Sequence, residues 1–218
     1  MTLYEENYFN LTEYLKPYKA TLVAVSKTRK PSEIMVLYDL GQRDFGENYV
    51  QELLEKKELL PKDIRWHFIG HLQSNKVKQI IPFIHLIHSI DSLNLLKEIN
   101  KQSRKLNIHT PILLQAHIAR EETKFGFDPN ELETIIRVQA PEFTHIHLKG
   151  LMGMASLTDD KSIIQQEFEM LSTMFEKYRK QSAELNVLSM GMSGDYQIAL
   201  NYGSNMVRVG SLLFGHRS

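Results

Sequence analysis

One lysine stands where an apolar segment of the sequence ends. Lys27 follows Leu22–Ser26, and the alternation of side chains along a strand would put Val23, Val25 and Lys27 on one face. If that face is buried, the ammonium group loses water and its pKa falls. The neutral amine could then form a Schiff base with a carbonyl compound. The alternative is a solvated lysine in a loop beside two other basic residues, which spacing alone favours.

Two segments near the carboxyl end carry small and hydroxyl residues that suit a phosphate group. Ser193 and Gly194 are predicted to open a helix toward Tyr202, where they offer a hydroxyl and free backbone N–H groups. Gly210 permits close backbone approach, and Ser211 adds a second hydroxyl. The plain alternative is Ser193 as a helix N-cap and Gly210 as a tight turn. Together the two segments indicate a phosphate site.

Arg208 lies between apolar residues of a segment predicted to be a buried strand. A permanent charge in such a place is costly unless it is paired. Because Arg208 shares a strand face with Gly210, its guanidinium could point at the ligand of the phosphate site. The alternative is a structural ion pair beneath a loop.

The nine histidines raise the question of a metal site. No third histidine or carboxylate stands at a diagnostic spacing from any close pair, and the sequence contains no HExxH. We therefore predict no metal. The close pairs are His67 with His71, His85 with His88, and His145 with His147.

Eight short apolar segments alternate with longer amphipathic ones of helical period. Several of the short segments are apolar on both faces, as buried parallel strands are, and no tight hairpin turn joins them. This pattern favours an α/β fold, a single (β/α)8 TIM barrel with an extra N-terminal helix near Leu3–Leu15. A doubly wound open sheet is the alternative, although its GxGxxG turn is missing. The predicted strands are Leu22–Ser26, Asp44–Gly46, Trp66–Gly70, Leu86–Asp91, Ile112–Ile118, Leu148–Met154, Val187–Gly191 and Met206–Ser211.

A barrel would bring these candidate residues together at one end. Functional groups of such barrels lie at the carboxyl ends of the strands, and the loops after strands seven and eight often hold a phosphate. Lys27 follows the first predicted strand, while Ser193 and Gly210 belong to the last two. The predicted fold thus supports a site that combines a lysine with a phosphate cradle.

Composition limits the functional classes. The chain has 218 residues, 26 Lys+Arg, 26 Asp+Glu, a formal net charge of +0 and no Cys. Zero Cys excludes disulfides, thiolate catalysis and Cys-ligated metals, and the charge gives no reason to expect nucleic acid or membrane as a partner. The acidic N-terminus lacks the features of a signal peptide, so we expect a cytoplasmic protein. Without a linker or repeat, residues 1–218 are interpreted as one domain.

Five segments, taken in chain order, carry a family resemblance: Ser26–Thr28, Arg43–Glu52, Trp66–Lys76, Ser189–Asp195 and Val207–Ser211. They resemble the YggS/PROSC family, the pyridoxal 5′-phosphate (PLP) homeostasis proteins. The resemblance spans nearly the whole chain. It implies the barrel of the alanine racemase N-terminal domain, without the racemase's second, β-rich domain, and hence a monomer.

The resemblance also implies one cofactor site. Lys27 would hold PLP as a Schiff base, and Arg208 would face the pyridine nitrogen. The residues implied to hold the phosphate are Ser193, Gly194, Gly210 and Ser211. Those implied to lie near the cofactor are Asn48 and Met190, with His71 a weaker candidate.

Arg208 has a consequence for chemistry. A carboxylate at the pyridine nitrogen keeps that nitrogen protonated and makes PLP a strong electron sink. A guanidinium stays charged and cannot accept the proton. The resemblance therefore implies a non-enzymatic protein that binds PLP and related B6 vitamers and buffers PLP or delivers it to PLP-dependent apo-enzymes.

Two enzymatic alternatives stay open. A PLP-dependent amino-acid racemase needs a second acid/base opposite the lysine, and Tyr49 and Tyr202 are the tyrosines considered for it. In alanine racemase that group comes from the other subunit's additional domain. The third possibility is a PLP-free aldolase-type barrel that uses Lys27 on a sugar phosphate.

Some positions depart from the family pattern or have no assigned role. His117 stands where the family usually has Asn, and Gly153, Asn205 and Ser211 replace usual Thr residues. Lys124 could be a secondary aldehyde acceptor during transfer of PLP. A salt bridge of Lys124 with Glu121 or Glu122 is the alternative that we favour.

Overall fold

The computed structural model describes residues 3–121, 123–139, 142–180, 182 and 184–215. Its eight strands pair in chain order, and the eighth pairs with the first, so the sheet is a closed barrel. All of the pairings are parallel. The prediction of a TIM barrel is confirmed. The strands are β1 (Thr21–Val25), β2 (Asp44–Glu47), β3 (Arg65–Phe68), β4 (Leu86–Ile90), β5 (Thr110–Ala116), β6 (Ile146–Gly153), β7 (Val187–Ser189) and β8 (Met206–Val209).

Helices with one apolar face follow the strands. In the longest of them, the predicted apolar positions from Ile164 to Tyr178 are buried. Asp128 caps another by accepting hydrogen bonds from the N–H groups of Asn130 and Glu131, as its Asp-Pro-Asn-Glu sequence predicts. In the described part of the chain, every helix is too short or too polar to cross a lipid bilayer. The helices are α1 (Leu3–Leu15), α2 (Pro31–Asp39), α3 (Val50–Leu59), α4 (Val77–Ile80), α5 (Leu93–Leu106), α6 (Pro129–Thr134), α7 (Lys161–Arg179), α8 (Tyr196–Asn201) and α9 (Ser211–Phe214).

The extra N-terminal helix is present and braces the last helix of the barrel. Leu11 and Leu15 of α1 are buried, and α1 contacts α2 and α9. The ring of Tyr4 lies edge-on to Phe214, with 5.9 Å between the centroids. Helix α1 therefore stabilises the segment that follows β8.

The core has two layers. The large layer joins the barrel to its helices. The small apolar layer inside the barrel consists of Val23, Leu86, Leu113, Met152 and Met206. Buried polar side chains share this interior, including His67, His88, Ser189 and Arg208. A barrel interior normally holds apolar side chains, so these polar residues must be satisfied by one another.

Most strands end one or two residues earlier than predicted. The exception is β2, which extends to Glu47. Residues 193–195 form a turn, and α8 begins only at Tyr196, so Ser193 and Gly194 do not open that helix. Ser193 and Gly194 therefore lie in a turn, and Gly210 and Ser211 lie at the start of α9, so the sheet does not use their backbone N–H groups.

Candidate functional site

A cavity of about 600 Å³ opens at the carboxyl ends of the strands. This is within the usual size range of small-molecule sites. It lies where barrel proteins carry their functional groups. Seven of the eight residues predicted for the cofactor line it: Lys27, Asn48, Ser193, Gly194, Arg208, Gly210 and Ser211.

The eighth residue, Met190, is not at the cavity. Met190 is fully buried in the layer between barrel and helices, because it directly follows Ser189, whose side chain points into the barrel. Met192 and Met154 line the cavity instead. His71 is also outside the lining. Its Nδ1 lies 2.7 Å from an Asp91 carboxylate oxygen.

Arg29, one of the two basic residues that follow Lys27 in the sequence, also lines the cavity. Its Nη2 donates to the carbonyl of Gly215 at 2.6 Å, and its Nη1 lies 3.3 Å from Glu33. The guanidinium also lies over the ring of Phe214. Sequence spacing carries no signal for the contacts with Phe214 and Gly215, because they join the loop after β1 to the end of α9.

The peptide on each side of Lys27 is held by helix α3. Lys56 donates from Nζ to the carbonyl of Ser26 at 2.7 Å, and the N–H of Thr28 donates to Glu52. Thr28 has a φ of +64°, which is unfavourable for a β-branched residue. These contacts fix the direction in which the half-buried Lys27 leaves the backbone.

Lys56 is itself buried between two carboxylates. Its Nζ lies 2.8 Å from Glu47 and 2.7 Å from Glu52. Burial raises the pKa of Glu47, and the charge of Lys56 opposes that rise. The cluster of Glu47, Glu52 and Lys56 is therefore a buried ion-pair network beneath the lysine.

The loop after β7 and the start of α9 meet at Ser193. Its Oγ accepts hydrogen bonds from the N–H groups of Gly210 at 3.3 Å and Leu212 at 3.4 Å. A Cβ added at Gly210 would lie 3.1 Å from the carbonyl oxygen of Val25, so a larger residue would crowd the first strand. Convergent N–H groups and hydroxyls of this kind suit a phosphate oxygen. Leu212 contacts Ser193 through its backbone N–H group, so the pattern of side chains in the sequence could not reveal this contact.

Arg208 is buried and anchored on one side. Its Nη1 donates to the carbonyl of Ser189 at 2.9 Å and to its Oγ at 2.7 Å, and its Nη2 donates to the carbonyl of Gly153 at 3.1 Å. Burial lowers the pKa of Arg208 to about 10, while the charge of Asp195 opposes that shift. Arg208 therefore keeps its proton at neutral pH.

Asn48 lines the cavity, and its side-chain oxygen is buried. Within the described residues, its Oδ1 has no hydrogen-bond partner. A Cβ at Gly70 would lie 2.3 Å from the Asn48 carbonyl oxygen, so close backbone packing fixes this segment. A buried polar atom without a partner is uncommon and is expected where a ligand binds. The residues present thus fit a phosphorylated aldehyde: an amine, basic groups, hydroxyls and an amide.

Lys124 forms the salt bridge with Glu121 that the favoured alternative predicts. Its Nζ lies 3.1 Å from Glu121 and donates to the carbonyl of Ala155 at 2.7 Å. Glu122 lies outside the described residues. His117 directs Nε2 at the carbonyl of Glu121, 3.1 Å away, and does not line the cavity.

One cluster has the composition of a metal site. Asp44, His67 and His85 bring their ligand atoms within 4.8 Å of one another. The sequence did not reveal this set, because the carboxylate comes from another strand. Arg65 already holds the carboxylate of Asp44 with two hydrogen bonds. The expectation of no metal stays a prediction.

The chain was compared with known proteins. The family model described as the alanine racemase N-terminal domain matches residues 3–218. A relative named pyridoxal phosphate homeostasis protein, from Schizosaccharomyces pombe, is 39% identical over 90% of this chain and 84% of its own length.

Solved structures agree with these matches. PipY from Synechococcus elongatus PCC7942, without PLP, has a TM-score of 0.90 and 34% identity, covering 96% of this chain and 99% of its own. PipY has also been solved with PLP bound, and that structure gives a TM-score of 0.88. An alanine racemase of Clostridium difficile 630 has a TM-score of 0.81 at 17% identity, covers 98% of this chain and 57% of its own, and so shares the fold. The chain belongs to the alanine racemase N-terminal domain family and, within it, to the pyridoxal phosphate homeostasis proteins.

Proposed function

We propose that this chain binds PLP in the cavity, holds it through an imine bond to Lys27, and serves PLP homeostasis by buffering or delivering it. The observation that carries the proposal is the lining itself. It has one lysine, Lys27, together with the hydroxyls of Ser193 and Ser211 and the guanidinium of Arg208. Relatives named for PLP homeostasis and the PLP-bound PipY structure support this assignment.

The charge of the lining supports an anionic ligand. Among the described residues that line the cavity, the ionisable side chains are Lys27, Arg29 and Arg208, all basic. A phosphate group is an anion at neutral pH, so it would meet a locally positive surface. The formal net charge of +0 conceals this local excess.

Lys27 would condense with the aldehyde of PLP, forming a C=N bond and releasing one water molecule. PLP supplies an electron-withdrawing ring when it is bound. Arg208 offers N–H donors and keeps its own proton, and Asn48 offers a buried oxygen that can accept a hydrogen bond. The chain's residues therefore bind and orient the ligand.

The lining gives less support to a racemase. Two-base racemisation needs a second acid/base beside the lysine, and an arginine that keeps its proton is a poor one. Tyr49 is 60% exposed, and neither it nor Tyr202 lines the cavity. We propose that the protein has no robust catalytic activity. Cytoplasmic location, a monomeric state and delivery to apo-enzymes stay predictions.

The test is direct labelling. The purified protein is mixed with one equivalent of PLP, its visible absorption is recorded, and the imine is reduced with borohydride before peptide mapping. We expect a visible band and one labelled peptide that contains Lys27. Lys27→Ala should lose both, and Lys124→Ala, the matched control at the same end of the barrel, should keep both. A colourless wild-type protein, or sustained racemisation of alanine abolished in Lys27→Ala, would overturn the proposal.

A further inference from the structure

A chain of buried hydrogen bonds crosses the inside of the barrel and ends at Arg208. His67 Nε2 lies 3.0 Å from Asp44 Oδ1, and His67 Nδ1 lies 2.8 Å from His88 Nε2. His88 Nδ1 lies 3.2 Å from Ser189 Oγ, which in turn accepts from Arg208 Nη1 at 2.7 Å. We call these five residues the interior relay.

The ends of the interior relay, together with two neutral histidines, fix the direction of every hydrogen bond in it. Arg208 can only donate, so Ser189 Oγ accepts from it and donates its own hydrogen to His88 Nδ1. His88 must then carry its proton on Nε2 and donate to His67 Nδ1. His67 in turn donates from Nε2 to the carboxylate of Asp44, which can only accept when ionised. Each neutral histidine is thereby held in a single tautomer.

The electrostatics of the buried groups agree with this assignment. Burial lowers the pKa of His67 and lowers that of His88 well below its ordinary value, so both rings are neutral near pH 7. Burial raises the pKa of Asp44, but hydrogen bonds from Arg65 and His67 outweigh it and lower this pKa, which keeps the carboxylate ionised. Both ends of the interior relay are therefore charged, with opposite signs.

The same contacts argue against a metal ion at Asp44, His67 and His85. Both ring nitrogens of His67 are engaged in the interior relay. The Asp44 carboxylate also accepts two hydrogen bonds from Arg65. A cation would have to displace a guanidinium and break the interior relay. Asp44 and His67 are therefore engaged in hydrogen bonds with protein groups.

We propose that His88 and Ser189 are positioning residues for Arg208, and that the interior relay sets how strongly Arg208 donates a hydrogen bond to the pyridine nitrogen of bound PLP. This inference rests on the proposed function. Ser189 takes both hydrogens of Nη1, and Gly153 takes one of Nη2. Within the described residues, these bonds leave the Nε hydrogen and one Nη2 hydrogen of Arg208 for the cavity that it lines.

The side chains of the interior relay have no other route to the ligand, because only its last residue, Arg208, lines the cavity. Ser189 and His88 are fully buried. Their removal can change the bound ligand only through the position and polarisation of the guanidinium. A chain of hydrogen bonds polarises its members in a low-dielectric interior, so loss of one link weakens the others.

The experiment uses PLP labelled with 15N in the ring, and it reads the pyridine 15N chemical shift, the dissociation constant and the thermal midpoint. The variants are Ser189→Ala and His88→Leu, which break the interior relay. Ser189→Thr keeps the hydroxyl, and His88→Gln replaces the ring by an amide that can also accept and donate a hydrogen bond. We expect the breaking variants to move the 15N resonance and weaken PLP binding by about tenfold, the order seen when a ligand-orienting partner is lost. The retaining variants should restore wild-type values.

The outcomes distinguish failure of the proposed function from failure of the inference about the interior relay. A wild-type protein without a PLP imine contradicts the proposed function itself. If the wild type binds PLP and the breaking variants keep its 15N shift and affinity while their thermal midpoint falls, the interior relay is only structural and the inference is wrong. If Ser189→Ala does not fold, the comparison of His88→Leu with His88→Gln decides the matter by the same two measurements.

Discussion

At the scale of the residue, Ser193 lies in the part of the cavity that is proposed to hold the phosphate of PLP. Its hydroxyl oxygen accepts hydrogen bonds from two backbone N–H groups at the start of α9, so its own hydrogen is available to a ligand. We expect Ser193→Ala to weaken PLP binding by about tenfold or more, as loss of a hydrogen bond to a charged group does. Binding of pyridoxal, which lacks the phosphate, should change little.

Titration of both ligands against wild type and Ser193→Ala checks this prediction. The matched pair of ligands separates loss of a phosphate contact from loosening of the two loops. An equal loss of affinity for PLP and pyridoxal would mean that Ser193 acts by holding the loops together. Thermal unfolding serves as the control, because a half-exposed hydroxyl contributes little to stability.

Residue types and spacing predicted most of this site because its side chains follow strand ends. Alternation of strand faces put Arg208 and Gly210 on one face, whereas the placement of Lys27 at the site needed the family resemblance, because spacing alone favoured a solvated lysine. Met190 could not, since β7 ends at Ser189 and the direction of the next side chain depends on the loop. Arg29 was also missed, because its partner Gly215 lies at the far end of the chain.

At the scale of the element, helix α3 and strands β1 and β2 act as one unit around Lys27. Lys56→Met would leave Glu47 and Glu52 buried without their cation, and removal of one partner from a buried ion pair costs about 3 to 5 kcal/mol. Lys57→Met is the matched control, because Lys57 is the next residue of α3 and pairs with Glu58 at the surface. Its effect should stay within about 0.5 kcal/mol.

Urea unfolding of both variants measures the difference. Burial already raises the pKa of Glu47 with Lys56 present, so without the cation this carboxyl should take up a proton. The uncharged carboxyl costs less free energy to bury. The difference in unfolding free energy between the wild type and Lys56→Met should therefore shrink as the pH falls toward 5. Equal destabilisation in Lys56→Met and Lys57→Met would contradict the buried-network interpretation.

Strand β6 depends on a glycine for its pairing with β7. A Cβ at Gly150 would lie 1.8 Å from the carbonyl oxygen of Val187, an impossible contact with backbone. Gly41 has a φ of +103° but nothing within 4 Å of such a Cβ. We expect Gly41→Ala to cost about 1 to 2 kcal/mol through conformation alone, and Gly150→Ala to cost more than about 3 kcal/mol. Thermal unfolding compares them, and equal losses would disprove the steric argument.

The sequence pattern predicted which elements exist better than where they end. Alternation and apolar runs identified all eight strands, yet seven predicted strands extend one or two residues too far. The apolar pattern continues into the loops, because residues such as Met192 and Met154 line the cavity after strand pairing has ceased. Where pairing stops depends on the divergence of neighbouring strands, which hydrophobic periodicity does not record.

At the scale of the whole molecule, closure of the barrel creates the interior relay. Its members come from β2, β3, β4, β7 and β8, and they are consecutive in space only because the sheet closes. The sequence showed a buried arginine and several histidine pairs, but none of the pairs that are close in sequence is the pair that the interior relay joins by a hydrogen bond. His67 and His88 are 21 residues apart. Such a network requires strand register, which no single segment encodes.

The buried histidines also determine how the molecule responds to acid. Burial lowers the pKa of His67 and His88 below the ordinary 6.5. As the pH falls through about 6.5, the unfolded chain binds protons at these rings while the folded chain does not. Folding stability is therefore full above this pH and is lost as the pH falls, by up to about 1.4 kcal/mol per pH unit for each ring. Glu47 and Asp195, whose pKa values are raised by burial, act with the opposite sign.

Comparison with a histidine variant separates the contribution of one ring to the pH dependence of stability from that of the opposing carboxyl groups. We expect the free energy of unfolding of the wild type to fall more steeply between pH 6.5 and pH 5 than that of His88→Gln, because one fewer proton is taken up by the unfolded variant. His109→Gln is the control, since His109 is exposed and is solvated in both states. Urea unfolding at several pH values measures the slopes. If His88→Gln retained the slope of the wild type, His88 would already be charged in the folded protein, and the neutral, directed interior relay could not exist.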